Sequence, residues 1–85
     1  SKHAVKLAMD IRRAFEAKGI KMLFDSKTNQ QFPILPNEMM EKLAEKYAFS
    51  FWCKVGETHS AVRFCTSWAT QEANVNELLA DIEKM

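Results

Sequence analysis

Eighty-five residues, 47% of them hydrophobic and 27% charged, suffice for one domain around one core and leave no room for a second. A net charge of +1 and no run of Lys and Arg argue against a nucleic-acid surface. No apolar run reaches the length of a bilayer span and no signal-peptide layout precedes the first helical pattern, so the expectation is a cytoplasmic protein without membrane contact.

From His3 to about Lys18, Ala4, Ala8, Ile11 and Phe15 recur at helical spacing, flanked by Val5, Leu7 and Ala14, which predicts an amphipathic helix ended by Gly19. Arg12 and Arg13 read as its solvated side. Ile20 to Phe24 reads as a short strand before the polar turn Asp25-Ser26-Lys27. Gln30 to Leu35 reads as an edge strand, because Pro33 removes a ladder donor. Its alternation would put Phe32 and Ile34 on one face and Gln31 with Pro33 on the other. A second helix is expected from Asn37, the candidate N-cap, to about Tyr47, with Met39, Met40, Leu43 and Ala44 on its apolar side.

Phe49, Phe51, Cys53 and Val55 then alternate with Ser50, Trp52 and Lys54, a strand of period two. Gly56 to His59 would turn it into a hairpin with the next strand, which begins at Ser60. In that strand Val62, Phe64 and Thr66 point one way, and Ala61, Arg63 and Cys65 the other. With a four-residue loop, Phe51 faces Phe64, Cys53 faces Val62, and Trp52 lies opposite Arg63, close enough for a cation-π contact. Cys53 and Cys65 would then sit on opposite faces, unable to form a disulfide. Neither cysteine has metal-ligand spacing to the other or to His3 and His59, so no metal site is expected. A last helix is capped by Thr70 and packs through Val75, Leu78, Leu79 and Ile82, with Trp68 in the loop before it.

These elements predict an α+β two-layer sandwich: a small antiparallel or mixed sheet of about three strands, the Arg63 strand in the middle, and helices on one face only. The other face carries Arg63, Trp52 and Gln31 and is where a partner or ligand is expected.

The phrases T-N-Q-Q-F-P-I-L-P, F-W-C-K-V and H-S-A-V-R-F-C-T-S-W-A-T, in this order around a helix, resemble the C-terminal small domain of pyridoxal-phosphate enzymes of the threonine aldolase and β-eliminating lyase group. The likeness covers nearly the whole chain, residues 1–85. It implies that a larger domain of the same polypeptide, outside this chain, carries pyridoxal phosphate and its lysine. It also implies a homo-oligomeric enzyme that cleaves a β-hydroxy amino acid to glycine and an aldehyde. In that family an arginine on a small-domain strand grips the substrate's α-carboxylate, and the matching residue is Arg63. Trp52, Trp68 and Gln31 are the candidate site-lining residues, no catalytic residue is expected in this chain, and Thr28-Asn29 matches a structural position. Better-known threonine aldolases carry a histidine just after the Thr66-Ser67 region, where this chain has Trp68. The chain alone is expected to be inactive. Two other readings stand beside this one: another pyridoxal-phosphate enzyme such as an aminotransferase, which would keep Arg63, and a stand-alone α+β module binding a ligand or protein.

Overall fold

In the computed structural model, which describes residues 2–66 and 71–85, helix α1 spans Lys2–Ala17 and buries Ala4, Leu7, Ala8, Ile11 and Phe15. This is the stripe read from the spacing, with Leu7 as its fifth member. The helix closes where Gly19 takes φ 79°, a left-handed conformation that carries no Cβ penalty in glycine, and the Ile20 N–H turns back to the Phe15 carbonyl at 3.0 Å.

The strand expected over Ile20 to Phe24 is reduced to a single bridge between Met22 and Pro33. Two bonds flank it, Leu23 N–H to the Phe32 carbonyl at 2.8 Å and Ile34 N–H to the Lys21 carbonyl at 2.9 Å. Pro33 has no N–H to contribute, so the ladder cannot propagate through it.

Strands β1 (Gln30–Gln31) and β2 (Ile34–Pro36) are two pieces of one edge, interrupted at Phe32-Pro33. Helix α2 (Asn37–Ala44), strands β3 (Ser50–Val55) and β4 (His59–Cys65), and helix α3 (Glu72–Lys84) complete the chain. β4 is central, with β1 and β2 along one side and β3 along the other, all antiparallel to it. The expected order is thus the order found.

All three helices contribute to one core. Leu7, Ile11 and Phe15 of α1 meet Leu43 of α2, Val75, Leu78 and Ile82 of α3, and Leu35, Val62 and Phe64 of the sheet. Phe64 sits at its centre, 5.5 Å from the Phe15 ring and 4.8 Å from that of Phe49. The stripe Val75, Leu78, Ile82 holds α3 down as its spacing predicts, with Leu79 partly buried beside it.

The caps differ from expectation. Pro36 precedes α2, so Asn37 is the first helical residue, and its side chain reaches the β3-β4 turn, donating to the Glu57 carbonyl at 3.4 Å and accepting from Ser60 Oγ at 2.8 Å. Gln71 precedes α3 without a side-chain cap bond. Thr70, the expected cap there, and Trp68 lie outside the described residues.

The hairpin register also departs from the expected one. Val55 pairs with His59, so the loop is the three residues Gly56-Glu57-Thr58, with Gly56 at φ 78°. A bulge then interrupts the ladder between Phe51 and Cys53. One residue fewer in the loop moves Cys53 opposite Ala61 and off the helix face, because a one-residue slip exchanges the faces. Past the bulge Phe51 pairs with Val62 on the helix side and Ser50 with Arg63. Both cysteines are free. The reason is separation along one face: Cys53 pairs with Ala61, and Cys65 lies four positions further along β4, roughly 13 Å at strand rise.

Candidate functional site

The candidate site is the sheet face without helices. β4 presents Ala61, Arg63 and Cys65 there, as alternation predicts; Ala61 is fully buried, Arg63 half-buried and Cys65 exposed. Residues paired across an antiparallel ladder share a face, so Ile34 and Cys53 flank Ala61, Ser50 flanks Arg63, and Gln30 flanks Cys65.

Trp52 is placed by the bulge. Its ring lies 5.1 Å from that of Phe32 and 6.4 Å from that of Phe24, both contacts edge-to-face, and Phe32 and Phe24 are themselves 5.1 Å apart. Trp52 comes from β3 and Phe32 from the opposite edge, so the two rings meet across β4. Phe32 is buried, while Trp52 and Phe24 remain 46% and 47% exposed. The face expected to lack cover is therefore partly roofed by three aromatic rings, with Phe32 on the side opposite to its expected one.

Arg63 does not stack on Trp52, whose ring is engaged by Phe32 and Phe24. Its guanidinium Nη2 donates to Ser50 Oγ at 3.4 Å, a long bond, and its Nε is buried without an acceptor. No carboxylate among the described residues pairs with it. The other two arginines are both paired: Arg12 with Asp25 at 2.8 Å and Glu16 at 3.4 Å, Arg13 with Asp10 at 2.7 Å. Arg12 also donates to the Ser26 carbonyl at 3.1 Å, so it anchors the 20–28 segment to α1 and is not merely solvated.

Gln31, expected beside Arg63, lies on the opposite face. It pairs with Phe64, which faces the helices, and is completely buried. Its Nε2 donates to the Ser26 carbonyl at 2.9 Å and the Thr28 carbonyl at 3.2 Å, bracing the turn from below. The expectation failed because it assigned Phe32 and Ile34 to the core on their hydrophobicity, whereas Gln31, Pro33 and Leu35 are the inward residues. Asn29 has the structural place expected of it: its Nδ2 donates to the Thr66 carbonyl at 2.7 Å, and its own carbonyl accepts from the Thr66 N–H at 3.0 Å.

A second polar cluster joins the C-terminal end of α2 to α3. Lys46 pairs with Asp81 at 2.8 Å and Glu77 at 3.4 Å, and the Tyr47 hydroxyl donates to the same Asp81 carboxylate. Those bonds, Lys46 first and Tyr47 second, hold Asp81 below the usual carboxylate range. Burial, then the Asp81 carboxylate, pushes the Tyr47 phenol up to about 12. Lys46 is correspondingly held as an ammonium. No signal in the sequence linked these three, since Asp81 lies far along the chain on a different helix.

Pyridoxal phosphate requires a lysine that is deprotonated and enclosed. Every lysine here is exposed, and Lys46, the most engaged, is locked in its charged form. The residues of this chain do not fit the cofactor, and none of its chemistry is assigned to them. No helix among the described residues is long and apolar enough to cross a membrane.

No protein-family model matches the chain, and no curated protein sequence does. Among solved structures it is similar to threonine aldolase of Leishmania major, at 30% identity over 96% of this chain with a TM-score of 0.92. The chain spans about a quarter of that protein's length, 24%. The resemblance read from the three sequence phrases and the likeness to this solved structure agree, and the one-sided α+β sandwich expected of such a small domain is the fold found.

Proposed function

We propose that this chain is the C-terminal small domain of a pyridoxal-phosphate-dependent lyase, a threonine aldolase that cleaves a β-hydroxy amino acid to glycine and an aldehyde, and that Arg63 binds the substrate's α-carboxylate. The observation that carries the Arg63 assignment is its lack of partners. A guanidinium half-buried on a sheet face, with a buried Nε lacking an acceptor and only a long bond to a neutral hydroxyl, is a donor set without its acceptor. A carboxylate supplies two acceptors in the plane that the guanidinium fork matches. The likeness to a threonine aldolase supports the reaction class.

In this reading a larger domain of the same polypeptide holds the cofactor, which supplies the electron sink for breaking the Cα–Cβ bond. Arg63 fixes one end of the amino acid and so sets which bond is presented to the reacting centre. Trp52, backed by Phe32 and Phe24, forms an apolar wall on the same face and limits water around that end of the substrate. The complete enzyme is a homo-oligomer.

The test uses the complete protein that carries this chain. Arg63→Ala should weaken amino-acid binding about tenfold or more, since a hydrogen bond to a charged group contributes roughly 1.5–3 kcal/mol. Arg63→Lys should recover part of the loss, restoring charge but not the two-pronged geometry. Unchanged binding in Arg63→Ala would remove the carboxylate assignment.

A further inference from the structure

The geometry points to Ser50 as a positioning residue for Arg63, holding the guanidinium ready for a carboxylate and offering that carboxylate one more donor; this rests on the carboxylate-binding reading of Arg63. Ser50 is not in any of the phrases that carry the family likeness, and continuing the Val55-His59 register without a break would place Phe51, not Ser50, across from Arg63. The bulge between Phe51 and Cys53 changes that. It takes Trp52 out of the ladder onto Phe32 and Phe24, and sets Ser50 in register with Arg63.

The chemistry of the pair follows from its donors and acceptors. Arg63 has no acceptor of its own, so its contact with Ser50 can only be donated by Nη2 to the hydroxyl oxygen, at 3.4 Å. The serine O–H is then free to donate elsewhere, and Ser50 is exposed on the edge strand. A carboxylate docked on the guanidinium can receive that O–H as well. Arginine is a long side chain that loses rotamer freedom when it binds; one already held at its head by Ser50 and along its length by burial of Nε loses less. The contact being long, Ser50 biases the orientation and leaves the head free to close on a ligand.

Isothermal titration of the complete protein with glycine and with glycinamide tests this. Glycine is achiral, and glycinamide is the same molecule without the carboxylate. Ser50→Ala should weaken glycine binding about three- to tenfold, the range of one ordinary hydrogen bond, while leaving glycinamide binding and the thermal midpoint unchanged. Ser50→Thr, which keeps the hydroxyl on a β-branched residue suited to a strand, should bind glycine as the parent does. In an Arg63→Ala background, Ser50→Ala should add little, because without the guanidinium there is nothing for Ser50 to position and no carboxylate docked within reach of its hydroxyl. Parental glycine binding by Ser50→Ala, equal losses for glycine and glycinamide, or full additivity with Arg63→Ala would each overturn the role. If Arg63→Ala weakens glycine binding and Ser50→Ala does not, only the Ser50 assignment falls. If Arg63→Ala has no effect, the carboxylate reading falls and takes this one with it.

Discussion

The two faces of β4 are made by the same seven residues and obey different rules. Toward the helices, Ser60, Val62 and Phe64, with Thr66 just beyond the strand, are all buried and all engaged by the chain itself. Ser60 is bonded to Asn37, Phe64 is clasped between Phe15 and Phe49, and the Thr66 hydroxyl donates to the Ala4 carbonyl. On the other face, burial falls from Ala61 through Arg63 to Cys65, and the one charged group has no charged partner among the described residues. The first face is explained by the domain's own packing. The second carries a guanidinium that the described residues leave without an acceptor at Nε and without a carboxylate, which is the feature the proposed carboxylate-binding role rests on.

The comparison breaks most visibly at Phe64. Phe64→Ala removes a ring from the centre of the core and should cost about 3–5 kcal/mol, a large share of the roughly 5–15 kcal/mol by which a domain is stable. Cys65→Ala, one residue along on the other face, should stay within about 0.5 kcal/mol. Urea unfolding of both variants measures the gap, and equal effects would erase the distinction between the faces. A smaller loss is expected at Thr66→Val, which keeps the shape and removes the hydroxyl from the Ala4 carbonyl, about 1–3 kcal/mol. Thr66→Ser should recover most of it.

How much of this was legible depends on what set each feature. The helices were, because Ala4, Ala8, Ile11 and Phe15 in α1 and Val75, Leu78 and Ile82 in α3 repeat at a period that only a helix brings to one side. The central place of the Arg63 strand was legible from connection rules alone. Gln31 and the hairpin register were not. Periodicity shows that a strand alternates but not which phase is inward, and apolar Phe32 and Ile34 outweighed Gln31 until Leu35 and Phe64 settled the phase in three dimensions. The register turned on a single loop residue and a bulge at a tryptophan, neither of which leaves a mark in hydrophobic spacing. Ser50 became visible only through that error.

Charge sharpens the comparison, since the cluster joining α2 to α3 is satisfied where Arg63 is not. Asp81 titrates below its unfolded value because Lys46 and Tyr47 donate to it, so its contribution is present above about pH 4 and lost as pH falls through the depressed folded value. Tyr47, raised to about 12 by burial and then by Asp81, behaves oppositely. Its contribution is complete below its unfolded value of roughly 10 and lost as pH rises toward 12. Asp81→Asn should therefore flatten stability at both extremes, and phenolate absorbance should show Tyr47 titrating nearer its ordinary value. Glu77 and Lys84 also face this cluster, so Glu77→Gln is the control: it should leave the Tyr47 titration almost where it was. An Asp81→Asn protein with an unaltered Tyr47 titration would show that the helix pair is joined some other way.

A small effect on stability is also expected at Arg63, and it is the most informative. Were Arg63 part of the fold, its removal would leave an acceptor unsatisfied, yet its one acceptor is the exposed Ser50 hydroxyl, which water replaces without loss. Its buried Nε has no acceptor to lose. Arg63→Met keeps most of the aliphatic stem over the sheet and deletes the unpartnered N–H, so it should be neutral or slightly stabilising, within about 1 kcal/mol of the parent. Arg63→Ala loses the stem as well and should fall modestly below Arg63→Met, still at about 1 kcal/mol or less, because the loss is packing and not pairing. Thermal unfolding of the two variants gives both the size and the order. If Arg63→Met costs more than about 1 kcal/mol, the guanidinium stabilises the sheet, and the second face of β4 belongs to the fold as the first does. If it costs nothing while amino-acid binding by the complete protein collapses, the arginine is kept for a ligand alone.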